Sequence, residues 1–213
     1  MFDERLIKNL CLYLIEVASA MKLPLTEARG SFPYPEYCYE SILSFSHEDN
    51  DYFCCEHRSH GWNYNMSFHR DGQAYEVDLC NGIGGAEVRF RFPCPVSNIW
   101  FLIEEKDTCF GSVLVILFKS FMKSIKVSKE IYDDFIDKLK MLIRSCGLSI
   151  NKASMDKGFE HIREKAIWYR TVIENIFYRE THGGDSWSES ERENIQAQIV
   201  RQLEPELKAF FCF

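Results

Sequence analysis

The segment 52–64 reads YFCCEHRSHGWNY and concentrates the reactive side chains of the chain. Cys55, His57 and His60 are residue types that ligate zinc or iron, and a thiol beside an imidazole could also act as a nucleophile with its base. Structural zinc normally takes four ligands from two close pairs, and the sequence contains no CxxC pair. We therefore predict neither a metal nor a cofactor, and keep these three residues as candidates for an alternative, a metal-dependent or thiol enzyme.

The spacing within this segment also argues against thiol catalysis. On a strand, Cys55 and His57 would share one face but lie about 6.5–7 Å apart, too far for a direct hydrogen bond. Their neighbours Glu48, Asp49 and Glu56 are acidic, and nearby negative charge disfavours a thiolate. We predict no catalytic residue here, and interpret the segment as a hairpin with one buried cysteine.

The charge of the chain is unevenly distributed. The 213 residues carry a net charge of −7, and residues 22–108 hold 7 Lys and Arg against 14 Asp and Glu, so this segment accounts for the whole excess. Such a surface repels nucleic acid and membrane phosphates and favours a partner protein with a basic surface. We therefore predict no direct nucleic-acid or membrane binding.

Three further observations predict a cytoplasmic protein. The densest apolar run, 113–118, ends at Lys119 and is too short to span a membrane. The first residues lack the pattern of a signal peptide. The nine cysteines are odd in number and scattered, which is typical of buried thiols in a reducing compartment.

The first half of the chain changes from a helical to a strand period. Apolar residues at three- and four-residue spacing predict a helix over 2–21. From 36 onward the period is two, with short turns between alternating segments, which predicts an antiparallel meander with one buried face. We predict five strands and a possible sixth, at 36–46, 52–58, 62–70, 74–80, 86–92 and 98–104.

After residue 106 the pattern is helical. The stripe from Phe110 to Ile125 predicts a helix, although β-branched residues make a strand over 112–118 the competing interpretation. Capping signals place the later boundaries. These are a helix from Ser128 to about Cys146 with Gly147 after it, a helix from Ser154 to about Arg179, a capping box of Ser188 and Glu191, and a kink or new turn at Pro205.

The helix predicted from Ser154 carries apolar residues at helical spacing. They form an apolar stripe that consists of Phe159, Ile162, Ala166, Tyr169, Ile173 and Ile176.

Together these elements predict an α+β fold: an N-terminal helix, a five- to six-stranded antiparallel meander sheet, and a C-terminal group of about four helices. We expect residues 1–106, the acidic and aromatic-rich helix and sheet, to pack with the helical region 107–213 as one composite domain.

Aromatic residues concentrate in the predicted sheet, where tyrosine and tryptophan could form a binding surface edged with acid. The predicted partner-binding residues are Asp49, Asp51, Tyr52, Trp62, Tyr64, Tyr75 and Asp78.

In general character the chain resembles small cytosolic proteins that inhibit by binding, namely toxin-immunity proteins and inhibitors of host-defence nucleases. We therefore predict a non-catalytic binding or inhibitor protein that occludes a basic site on a partner, possibly a nuclease. The alternatives are the enzyme centred on Cys55, His57 and His60, and a chaperone for a secreted effector, which would form a stable dimer.

Overall fold

A computed structural model describes residues 4–21, 25–27, 39–46, 52–58, 63–70, 73–82, 85–92 and 109–211. The helices are α1 (Glu4–Ala20), α2 (Phe110–Ser124), α3 (Lys129–Ser145), α4 (Lys152–His182) and α5 (Glu189–Phe211). The strands are β1 (Leu25–Glu27), β2 (Tyr39–Ser46), β3 (Tyr52–Arg58), β4 (Asn63–Arg70), β5 (Gln73–Gly82) and β6 (Gly85–Arg91).

The strands pair in chain order, each antiparallel to the next. One register column shows the alignment: Met66 of β4 pairs with Val77 of β5, which pairs with Phe90 of β6. Val77 and Phe90 are buried, so these two positions belong to the face that packs on the helices.

The predicted fold class, an α+β arrangement built on a five- to six-stranded meander, is corrected by this structure. The described molecule is mostly helical, with helices of 17, 15, 17, 31 and 23 residues. The described core side chains of the sheet belong to one antiparallel pair, β5 and β6. The alternation of apolar and polar residues shows where strands form. It does not show that helices contribute most of the buried apolar residues. The possible strand at 98–104 lies outside the described residues.

The helix α2 lies at the centre of the core. Every residue from Phe110 to Phe118 is buried, as expected for a helix that is apolar all round. The competing strand at 112–118 is therefore wrong, and the helical interpretation is confirmed. This β-branched run is helical despite its strand propensity, because the surrounding elements bury it on every side.

The pair β5 and β6 packs on α2 through aromatic rings. Phe90 meets Phe118 edge to face with ring centres 5.1 Å apart, and Tyr75 meets Phe121 in the same way at 6.3 Å. Such contacts add about 0.5–1.5 kcal/mol each to the free energy gained from burial. They join the sheet segment to the helical region.

Small residues let α4 approach α2 closely. The hydroxyls of Ser112 and Ser154 are both buried and lie 2.8 Å apart, so each satisfies the other. One turn later, Gly158 faces Ile116, whose Cδ1 lies 3.1 Å from the position that a Cβ would take. A larger residue at either contact would push the two helices apart.

The helix α1 packs on α3, with Leu6, Leu10 and Leu14 buried. At the edge of this contact, Lys138 donates to Glu16 at 2.7 Å and also pairs with Asp134. These carboxylates raise the pKa of the Lys138 ammonium above its ordinary value, the Glu16 hydrogen bond most.

The helix boundaries agree with the predicted capping residues. The Ser128 hydroxyl accepts a hydrogen bond from the Ile131 amide at the start of α3. The Ser188 hydroxyl and amide both donate to the Glu191 carboxylate, which lowers the pKa of Glu191. The helix α4 begins two residues earlier than predicted, with Asn151 as N-cap, and α5 continues through Pro205. No helix in the described ranges is long and apolar enough to cross a membrane.

The helices α2 and α3 end in the same hydrogen-bond motif with different residues. After α2, the Lys126 amide donates to Lys123 and the Val127 amide to Met122. After α3, Gly147 donates to Arg144 and Leu148 to Ile143. This is the Schellman pattern, in which the residue after the cap is left-handed. Lys126 has φ 55° and Gly147 has φ 77°, and only glycine adopts such angles without strain.

This difference predicts opposite effects of two substitutions. Lys126→Gly should raise the free energy of unfolding by about 0.5–1 kcal/mol, because it removes left-handed strain. Gly147→Ala should lower it by about 1 kcal/mol, because it introduces that strain. Urea denaturation of both variants measures the two changes, and shifts of the same sign would contradict the assigned backbone.

A second prediction tests the packing around α2. An added Cβ at Gly111 would lie 2.7 Å from Ile143 Cγ2 and 3.2 Å from the Ser149 carbonyl oxygen. Gly111→Ala should lower the free energy of unfolding by about 1–2 kcal/mol, since overpacking exceeds the gain of about 1 kcal/mol in helix propensity. Gly184→Ala is the control, because its nearest atom would be 3.8 Å away. That variant should stay within about 0.5 kcal/mol of the parent.

Candidate functional site

The candidate metal or thiol residues fall partly within the described chain. Cys55 lies on β3, paired with Leu43 and Met66, and His57 lies two positions on, paired with Ser41 and Tyr64. His60 lies outside the described residues. Among the described residues no group of three or more His, Cys, Asp or Glu could hold a metal ion.

The predicted partner-binding residues are not all placed by the structure. Asp49, Asp51 and Trp62 lie outside the described residues. Three others have defined positions in the strand register, with Tyr52 paired with His69, Tyr64 with Leu79, and Asp78 with Asn65 and Arg89. Since consecutive strand positions alternate between faces, position 78 belongs to the face opposite to position 77.

Tyr75 is the one predicted partner-binding residue whose side chain is described, and it is buried. Its relative exposure is 6%, and its ring packs on Phe121 of α2. The hydroxyl donates to Gln73 Oε1 at 3.3 Å. Tyr75 therefore belongs to the core, because its strand position points to α2 and not to solvent.

On the opposite face of β5 and β6, the described side chains are charged and reach solvent. Glu76 and Arg91 are register partners, and their side chains form an ion pair of 3.6 Å. The Arg91 side chain is 53% exposed and that of Glu76 is 29% exposed. The two faces of this pair of strands thus differ in chemistry, one apolar on α2 and the other charged.

The described surface has a second feature, which the sequence did not predict. The C-terminal half of α4 exposes large apolar side chains that a core helix would bury. Trp168 and Phe177 are each 61% exposed, Ile176 is 50% exposed and Ile173 is 38% exposed. We define the α4 outer face as Lys165, Trp168, Tyr169, Val172, Ile173, Ile176, Phe177 and Glu180.

The exposure of this face follows from the lengths of the helices. Ser154 meets Ser112 and Gly158 meets Ile116, so α4 and α2 run in the same direction along their contact. However, α4 has 31 residues and α2 has 15, and the last buried residue of α4 is Ile167. Of the apolar stripe, Tyr169 still packs against the core, whereas Ile173 and Ile176 are exposed. The periodicity predicted the apolar stripe correctly, but it does not show where α2, the helix that covers the stripe, ends.

The helix α5 braces α4 on another side. Arg163 Nε donates to Glu204 Oε1 at 2.7 Å and its Nη1 donates to Glu160 at 2.8 Å. The Glu204 carboxylate raises the pKa of the Arg163 guanidinium above its ordinary value. Near the turn between the helices, the buried Trp187 packs on Tyr178 with ring centres 5.6 Å apart.

A groove of about 520 Å³ lies between α4 and α5. Its walls combine apolar side chains with charged ones, Arg163 among them. The α4 side contributes Trp168 and Val172, and the α5 side contributes Arg192 and Val200. The described groups there can make van der Waals contacts and hydrogen bonds with a bound chain.

Comparison with known proteins gives no family assignment. No family model matches the chain, and no curated protein and no solved structure is significantly similar to it.

The contact of Arg163 with Glu204 predicts a measurable coupling between α4 and α5. A double-mutant cycle of Arg163→Ala and Glu204→Ala should give about 1 kcal/mol, since the guanidinium holds the carboxylate across two helices. The matched pair Arg170 and Glu174 lies within α4 at 2.8 Å, and should give only about 0.3–0.5 kcal/mol. Equal coupling energies would show that Arg163 does not join the helices.

Proposed function

We propose that this protein is a non-catalytic, cytoplasmic binding protein whose acidic sheet segment contacts a basic surface of a partner protein. The observation that carries the proposal is the chemical difference between the two sheet faces at β5 and β6. One face is committed to α2 through Tyr75 and Phe90. The other carries the exposed pair Glu76 and Arg91 within the segment that holds the whole net negative charge.

The charges of the helical region support this assignment. There the positive and negative charges nearly balance, and some of them form ion pairs, as Lys140 does with Asp137 and Arg170 does with Glu174. The helical region 109–213 therefore contributes little long-range field. The acidic segment 22–108 dominates the field, and such a field accelerates association with a basic partner. Occlusion of a functional basic site would make the protein an inhibitor, of the toxin-immunity or anti-defence type.

This proposal predicts that binding depends on charge in one segment only. A partner captured from native lysate and then purified should bind the triple variant Asp49→Lys, Asp51→Lys and Asp78→Lys at least about tenfold more weakly than the parent. The affinity of the parent should also fall as the salt concentration rises. Isothermal titration calorimetry at two salt concentrations measures both effects.

The control reverses three exposed acids of the helical region, Asp133→Lys, Asp156→Lys and Glu206→Lys. It changes the net charge by the same amount, so it should alter the affinity less than about threefold if the sheet segment makes the contact. An affinity that is independent of salt, or equally reduced in both triple variants, would refute the proposal.

The alternative enzyme needs its own test, because His60 lies outside the described residues. Elemental analysis of protein purified without added metal decides the metal version. Stoichiometric zinc or iron that is lost in His57→Ala would favour the enzyme over the binding protein.

A further inference from the structure

We draw no further inference here: the strongest candidate, the groove between α4 and α5 with the exposed apolar side chains of α4 beside it, carries none, because its lining mixes the opposite charges of Arg163, Glu164 and Arg192 and nothing in the structure shows what covers it.

Discussion

The burial of α2 on all sides is the constraint on which the rest of the described structure depends. The helix is apolar around its whole circumference, so it needs covering elements in every direction. The rings of Phe90 and Tyr75 cover it from the sheet, and α3, α4 and α5 cover it elsewhere. Where the covering helices come closest, α2 offers Gly111 and Ser112 in place of larger side chains. The positions of the neighbouring elements thus follow from one helix.

The exposed surface of α4 follows from the same arrangement. A helix of 31 residues, about 46 Å long, lies along one of 15 residues, about 22 Å long, so the contact must end well before the longer helix does. Beyond Ile167, Trp187 packs on Tyr178 near the start of α5, while the ion pair of Arg163 with Glu204 joins the two helices one turn before Ile167. The apolar stripe that continues past the core leaves several large apolar side chains exposed to water.

The molecule therefore combines two surfaces of different physical character. The acidic segment 22–108 acts at long range and loses strength as salt rises. The α4 outer face acts only on contact, and salt affects its charged ends more than its apolar centre.

By itself, the sequence determined the helices and their ends, the strand periodicity and the location of the net charge. These features depend on residues that are near one another in the chain. Ser128 caps the start of α3 through a local hydrogen bond, and Gly147 follows its end with a left-handed backbone angle. The capping box of Ser188 and Glu191 marks the start of α5. The tertiary structure alone decided which side of each apolar stripe is covered and for how far. Tyr75, predicted at a binding surface, is buried because α2 lies over it, whereas Ile176, part of the predicted apolar stripe, is exposed because α2 has ended. Periodicity shows which side of a helix or strand is apolar. Whether that side is buried depends on whether a segment that is distant in the chain packs against it.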